Sequence, residues 1–167
     1  MLSPLLFNIY VDSFLQRLQS SGVGCRIGLC YIGCVMYADD LTLFASSLCE
    51  LQRMIDICVD EATNLCMQFD SKKCSVIRFG PRYHSQCADV TMLGNSIKLV
   101  NSVKLLGVQI SAYKKFRIDI GYMKSKFNRA FNSLFHNAAK LKDELTTMHL
   151  VSSYCKPCLL YGTEAVL

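Results

Sequence analysis

The spacing of apolar residues predicts helices at both ends of the chain. In the first twenty residues, apolar side chains recur at every fourth position, the period of one helix face: Leu6, Tyr10, Phe14 and Leu18. A second helix is predicted over residues 47–67, where an apolar stripe faces a row of charged residues. A third helical region is predicted from about residue 114, with apolar positions three or four apart as far as Leu141.

Between these helices, short β-rich runs bounded by turn residues predict strands. They lie at 25–29, 31–37, 74–79 and 104–111, with a turn at Ala38-Asp39-Asp40 and a hairpin folded at Gly94-Asn95. This order of elements predicts an α+β fold, with one part over residues 1–112 and a helical part over residues 113–167.

Composition narrows the class of protein. The chain has 167 residues, of which 51% are hydrophobic and 19% charged, so it can bury a core and is not wholly disordered. No apolar run approaches the roughly 18 residues of a membrane span, and the first residues lack the pattern of a signal peptide. A soluble, intracellular protein is therefore expected.

Ten cysteines are present, but their spacing does not favour a zinc site. The Cys155-Lys156-Pro157-Cys158 pair has no second pair placed to complete four ligands. Reduced cysteines that pack as small apolar residues are the favoured interpretation, and a metal-binding interaction module is the alternative.

Positive charge is concentrated in one segment. Residues 114–142 contain eight Lys or Arg and a single acidic residue, Asp119, and the basic ones are Lys114, Lys115, Arg117, Lys124, Lys126, Arg129, Lys140 and Lys142. Such a segment favours a polyanionic partner, although a basic run is also common on solvated helix faces.

Two adjacent carboxylates follow Tyr37-Ala38 at the predicted turn, Asp39 and Asp40. Neighbouring carboxylates repel one another, and the apolar flanks are expected to desolvate them in part, which destabilises the pair unless a cation lies between them. Mg²⁺ prefers carboxylate oxygens and keeps positions open for phosphates. Asp also suits turns without any function, but its setting in an apolar hairpin favours a metal site.

Tyr37-Ala38-Asp39-Asp40 resembles the catalytic motif of reverse transcriptases, and its surroundings resemble those of the non-LTR (LINE-type) branch. Other segments match in order. Residues 2–12 resemble the palm segment after the family's Gln-Gly motif, 70–74 the Asn-x-x-Lys-Ser/Thr motif, 103–108 the Tyr-Leu-Gly primer grip, and 154–164 a stretch after the thumb. The resemblance implies a partial palm over 1–112 and a helical thumb or connection region over 113–167.

The resemblance also implies catalytic roles. Asp39 would be a ligand of Mg²⁺ in a two-metal site, and Asp40 a second, weaker or outer ligand. Lys73 matches the lysine that reaches the triphosphate and helps to protonate pyrophosphate, although a surface lysine is about as plausible there.

Binding roles follow from the same matches. Tyr37 would pack near the primer end, and Leu106 and Gly107 would lie against the primer backbone, where a glycine at a strand bulge is the alternative. Pro4 and Asn8 would shape the nucleotide pocket, although both also suit the start of a helix.

The partners implied are an RNA template, a DNA primer and deoxynucleoside triphosphates, with the basic helix as a thumb that holds phosphates. Phe127 and Phe131 are expected in the core rather than stacked on bases. Nuclear action at chromosomal DNA is implied by the family alone.

The family's upstream catalytic Asp and fingers are not in the sequence, so the isolated chain is expected not to polymerise. Asp70, Cys74 and Leu105 stand where the family usually has Asn, Ser or Thr, and an aromatic residue. An unpaired apolar edge is expected at the Asp39-Asp40 hairpin. The alternative function is a non-catalytic retrotransposon remnant that at most binds nucleic acid.

Overall fold

A computed structural model describes residues 3–85, 87–138 and 143–162, which fold into helices and small β-sheets. The side chains of Ser3, Pro4 and Ala138 lie outside this description. The predicted α+β class is confirmed at this level, since long helices and antiparallel sheets both occur.

The helices are α1 Ser3–Ser20, α2 Leu48–Asn64, α3 Ile120–Ala138, α4 Glu144–Leu150, a π-helical turn Val151–Cys155, and α5 Lys156–Leu160. The strands are β1 Arg26–Ile27, β2 Cys30–Tyr31, β3 Cys34–Tyr37, β4 Asp40–Leu43, β5 Ser75–Val76, β6 Val90–Met92, β7 Asn95–Leu99, β8 Ser102–Leu105, β9 Val108–Ser111 and β10 Arg117–Ile118. In the described ranges they form four small sheets, β1-β2, β3-β4, β5-β7-β6 and β10-β9-β8.

The chain divides into two compact units. The first contains residues 1–76 and 86–98, and the second contains residues 77–85 and 99–167. The predicted boundary at residue 112 is of a different kind, because it divides the chain by function into a palm and a thumb. It remains a prediction.

The core of the first unit lies between α1, α2 and the β3–β4 hairpin. Phe14 and Leu18 of α1 and Met54 of α2 are at most 1% exposed, and Cys34 of β3 packs in the same cluster. The predicted spacing in α1 therefore holds for its second half, because Leu6 and Tyr10 are exposed by half or more. Tyr10 instead donates a hydrogen bond from its hydroxyl to the Leu65 carbonyl, at 2.6 Å.

Polar contacts fix the two long helices of this unit. The Ser47 hydroxyl caps α2 by accepting a hydrogen bond from the Glu50 amide at 3.2 Å. Arg17 of α1 donates to the buried Glu61 of α2 at 2.6 Å, and this hydrogen bond holds the pKa of the Glu61 carboxyl below its usual value. The predicted start and face of α2 are thus confirmed, and the helix ends at Asn64.

The strand predictions were less accurate than the helix predictions. The run 25–37 forms two separate antiparallel pieces, β1–β2 and then β3, because Gly28 and Leu29 make a turn with a positive φ at Gly28. The predicted strand 74–79 is limited to Ser75–Val76, and the hairpin of β6 and β7 turns at Leu93-Gly94, one residue earlier than expected.

In the second unit, residues 104–111 form part of a hairpin rather than one strand. Strand β8 pairs with β9 around a turn at Leu106-Gly107, and β10 pairs with the other edge of β9. Helix α3 packs against α4, the π-helical turn and α5. The helix begins at Ile120, so the expectation of a helical region from residue 114 was wrong for residues 114–119.

Candidate functional site

The two adjacent aspartates lie at the tip of the hairpin formed by β3 and β4, called here the aspartate hairpin. Strand residues pair as Cys34 with Leu43, Met36 with Leu41, and Tyr37 with Asp40. Because side chains alternate between faces, the first two pairs point into the core and the third lies on the outer face. The apolar residues of the motif therefore anchor the hairpin, and its polar tip projects from the core.

Backbone conformation at the tip is unusual for the residues it contains. Ala38 has a φ of 48°, in the left-handed region that residues other than glycine seldom adopt. The two-residue turn of Ala38 and Asp39 joins the paired residues Tyr37 and Asp40. Strain of this kind is common where a turn is retained for the groups it presents.

Replacing Ala38 by Gly is therefore expected to stabilise the aspartate hairpin. Gly removes the Cβ clash of the left-handed conformation but has a more flexible unfolded state, so we expect a net gain of about 0.5–1 kcal/mol. Urea unfolding followed by circular dichroism measures it. Ala45 has no positive φ, so Ala45→Gly should destabilise the protein, and a loss of stability in both variants would contradict the argument.

Asp39 and Asp40 are both exposed. The expected partial desolvation of this pair was wrong, because the apolar flanks turn inward at Cys34, Met36 and Leu41 and leave the carboxylates beyond the core. Within the described ranges, neither carboxylate forms an ion pair. Both carboxylates are therefore open to solvent, with Asp39 on the turn and Asp40 at the start of β4.

The edges of the aspartate hairpin are open in the described part of the chain. No other strand pairs with β3 or β4 there, and Val35 on the outer face is 50% exposed.

Lys73 and Asn8, which were also predicted as site residues in the first unit, are exposed. Lys73 is exposed and its ammonium lies 4.0 Å from the carboxylate of Asp70. Asp70 also accepts a hydrogen bond from the Lys72 amide, so the loop is fixed by Asp70. Asn8 is exposed on α1, and Pro4 lies in the same helix with its side chain outside the described residues.

Leu106 and Gly107 form the turn between β8 and β9, called here the 106–107 turn. Both have a positive φ, 46° and 85°. A residue that sequence reasoning did not assign contacts this turn: the Tyr161 hydroxyl donates to the Leu106 carbonyl at 2.7 Å, across 55 positions of sequence. Residues 154–164 were matched in sequence to a stretch after the thumb, but the contact of Tyr161 with Leu106 appears only in three dimensions.

Six basic residues belong to the basic segment, residues 114–129, of the second unit. The first three precede α3: Lys114 and Lys115 lie at a bend, and Arg117 lies on β10. On α3, Lys124 and Arg129 are exposed, and Lys126 is half-buried. The segment is therefore a bend, a strand and a helix, and not one basic helix; Lys140 and Lys142 lie outside the described residues.

Aromatic residues run alongside these cations. The ammonium of Lys126 lies 5.0 Å from the ring centre of Tyr122, a cation–π contact. Phe127, Phe131 and Phe135 stack in sequence, with ring centres 5.8 and 5.6 Å apart. Phe127 and Phe131 are half-buried, so the expectation that they lie in the core is met only in part, and Phe135 is 53% exposed.

The cysteines of this chain are present as thiols. All ten cysteines are free, and burial raises the pKa of Cys34 to about 11 and that of Cys58 to about 12. Both are thus protonated at neutral pH and contribute as apolar side chains of the core. Among the described residues, no group of three or more His, Cys, Asp or Glu is placed to hold a metal ion.

Comparison with known proteins decides the family. The family model described as reverse transcriptase (RNA-dependent DNA polymerase) matches residues 1–110, which include the aspartate hairpin and the 106–107 turn. The chain belongs to the reverse transcriptase family.

A curated relative supports the LINE-type branch within the reverse transcriptases. The chain is 28% identical over 141 residues to the retrovirus-related Pol polyprotein from the type-2 retrotransposable element R2DM of Drosophila melanogaster. The alignment covers 77% of this chain and 13% of that polyprotein, so the chain corresponds to a small part of its relative. No solved structure matches significantly.

No helix in the described ranges is long and apolar enough to cross a membrane.

Proposed function

We propose that this chain supplies the metal-binding hairpin and a nucleic-acid-binding surface of an RNA-directed DNA polymerase. The observation that carries the proposal is the aspartate hairpin, in which the consecutive residues Asp39 and Asp40 are both exposed at a strained tip and the strands are anchored in the core. A buried or ion-paired acid would have suited a structural role better. Exposed carboxylates on a rigid turn suit a metal that also binds phosphates.

The donor set at the hairpin fits Mg²⁺. This ion takes one or two carboxylates and completes its coordination with water and substrate phosphates, and Asp39 and Asp40 offer two carboxylates with no ion-paired partner among the described residues. When bound, such ions stabilise charge on the attacking and leaving oxygens of phosphoryl transfer. We assign Asp39 as the principal ligand and Asp40 as a weaker or outer ligand.

Neighbouring side chains have assisting roles in this proposal. Tyr37 pairs with Asp40 and is 65% exposed, so its ring is available to pack against a primer end. Lys73 carries an exposed ammonium on a loop fixed by Asp70, and it would neutralise a triphosphate and its pyrophosphate product. Asn8 and Pro4 of α1 would border the nucleotide pocket.

The partners proposed are an RNA template, a DNA primer and deoxynucleoside triphosphates. The basic segment would hold the template–primer duplex through its phosphates, which positions the duplex without reading its sequence. Leu106 and Gly107 would approach the primer backbone. In this proposal the first 112 residues act as part of a palm and the remainder as a thumb or connection region. Reverse transcription would take place in the nucleus.

Binding to an RNA–DNA duplex is the direct test, and it should depend strongly on salt. The affinity is expected to fall as salt rises from about 50 to about 200 mM, with a logarithmic slope of about −0.7 to −0.9 for each phosphate contacted. Replacing Lys114, Lys115 and Lys124 by Gln should reduce that slope by about 2 to 3. Fluorescence anisotropy of a labelled duplex measures both values.

A control that removes the same charge elsewhere separates a binding surface from net charge. Arg53, Lys98 and Lys156 are exposed and lie outside the basic segment. Their triple replacement by Gln should leave the slope nearly unchanged. An equal loss in both triple variants would show that overall charge alone attracts the duplex, and the surface proposed here would be wrong.

A second candidate function is nucleic-acid binding without catalysis. It is favoured by one observation: in the described residues, no third carboxylate joins Asp39 and Asp40 in a metal-sized cluster. The two candidates share the basic segment but differ at the hairpin. Binding of Mn²⁺ to the chain, lost on replacing Asp39 by Asn, would favour the polymerase.

A further inference from the structure

Tyr161 connects the C-terminal end of α5 with the tip of the β8–β9 hairpin through a hydrogen bond. Its hydroxyl donates a hydrogen bond of 2.7 Å to the Leu106 carbonyl. Its own amide donates to the Pro157 carbonyl, which ends α5 in a fixed position. The Tyr161 backbone is therefore held at the end of α5, and the hydroxyl of its side chain reaches the 106–107 turn.

Close packing around two glycines shows that this contact is specific. A Cβ placed on Gly107 would lie 3.1 Å from the Tyr161 ring, and one on Gly162 would lie 2.7 Å from the Val108 side chain. Both glycines also have a positive φ, 85° and 75°. Gly107 thus lets the ring approach the turn, and Gly162 lets the chain pass beside strand β9.

The turn that Tyr161 contacts needs such support. Leu106 has a φ of 46°, which is unfavourable for a residue with a branched side chain, and its side chain is 40% exposed. Packing therefore covers Leu106 only in part, and the hydrogen bond to its carbonyl further restricts the peptide that follows. Strained turns of this kind are common at binding sites, and the 106–107 turn is exposed and held by a residue of another element, so it is suited to contact a ligand.

We propose that Tyr161 is a positioning residue that holds the 106–107 turn against the 3′ end of a nucleic-acid primer, and so gives the chain a preference for recessed 3′ ends. This rests on the proposed function, in which the turn contacts the primer backbone. Tyr161 acts through the Leu106 carbonyl and does not itself touch the primer. Its hydroxyl sets the orientation of the Leu106-Gly107 peptide, the group that approaches the primer.

The test compares the 167-residue chain with its Tyr161→Phe variant on two duplexes. One RNA–DNA hybrid has a recessed DNA 3′ end, and the other is blunt and otherwise identical. The variant keeps the ring beside Gly107 and loses only the hydrogen bond, so we expect its preference for the recessed end to fall by about threefold to tenfold. Hydrogen exchange at the amides of residues 106–108 should be faster in the variant by a similar factor.

Two further variants test whether the loss of preference is due to the contact between Tyr161 and the 106–107 turn. Tyr154 is exposed and lies on the preceding π-helical turn, so Tyr154→Phe is a matched loss of one tyrosine hydroxyl and should behave as wild type. Gly107→Ala places a methyl against the Tyr161 ring and should lose the end preference as Tyr161→Phe does. Thermal melting of each variant checks that both units remain folded.

The possible outcomes separate this inference from the proposed function. If wild type prefers the recessed end and Tyr161→Phe prefers it equally, the positioning role is wrong and the proposed function stands. If wild type binds both hybrids equally, the 106–107 turn does not contact a primer end and the inference is overturned. If wild type binds neither hybrid, the proposed nucleic-acid surface fails as well.

Discussion

Asp39→Asn is expected to abolish primer extension, by about a thousandfold or more, in a chimera that contains residues 3–111 of this chain. In that chimera, residues 3–111 replace the aligned segment of an active, longer reverse transcriptase, so the host supplies the remaining parts of the site. Asn keeps the size of Asp but loses the charge that a divalent cation needs. The measurement is incorporation of deoxynucleotides into a labelled primer on an RNA template, with Mg²⁺ present.

The structure explains why the effect of Asp39→Asn should be confined to chemistry. Asp39 is exposed and forms no ion pair among the described residues, so removing its charge breaks no contact that holds the fold. Melting temperature should therefore be nearly unchanged. Asp40→Asn is expected to reduce extension less, because Asp40 is assigned as the weaker or outer ligand.

Asp60→Asn provides the matched control. Asp60 is also an exposed acid of the first unit, on α2, and its replacement makes the same change in charge. The Asp60 variant should extend primers as the unmodified chimera does. An Asp39→Asn chimera that extends primers as the unmodified chimera does would contradict the assignment of the aspartate hairpin as a metal site.

Helices were predictable from sequence because each carries its signals locally. Ser47 precedes an apolar stripe of period 3.6 and does cap α2, and α1 ends at Ser20, within the first twenty residues predicted as a helix. Which half of a helix is buried was not predictable. Leu6 fits the apolar face of α1 as well as Phe14 does, yet only Phe14 finds partners in α2 and the aspartate hairpin.

Strands were harder because their ends depend on turns made by unexpected residues. Leu93, Leu106 and Ala38 all take a positive φ, which sequence reasoning reserves for Gly, Asn or Asp. The turn at residues 93–94 was therefore placed one position late, and the turn at 106–107 was read as part of one strand. In each case pairing of the flanking strands outweighed the local preference of the turn residue.

The candidate site shows the same division between local and distant information. Asp39 and Asp40 could be found because Tyr37-Ala38-Asp39-Asp40 is one contiguous motif. Their exposure could not be predicted, because it depends on which face of the hairpin packs against the helices. The contact of Tyr161 with the 106–107 turn joins residues 55 positions apart, and no periodicity carries that information.

Phe14→Ala is expected to destabilise the first unit by about 3–5 kcal/mol, the usual cost of removing a buried phenylalanine ring. Phe14 is 1% exposed, and its ring meets that of Phe69 edge to face, with centres 6.0 Å apart. The same core cluster includes Cys34 of β3 and half-buried Met36 and Leu41 beneath the aspartates. Loss of the ring should therefore loosen the support of the hairpin as well as the packing of α1.

Urea unfolding followed by circular dichroism measures the stability of the Phe14→Ala chain, and Ile9→Ala is its control. Ile9 lies on the same helix but is 67% exposed, so its truncation should change stability by about 0.5 kcal/mol or less. Because Asp39 and Asp40 depend on the hairpin for their position, Phe14→Ala should also weaken Mn²⁺ binding without removing a ligand. Stability within 1 kcal/mol of wild type would mean that α1 does not support the hairpin as its packing indicates.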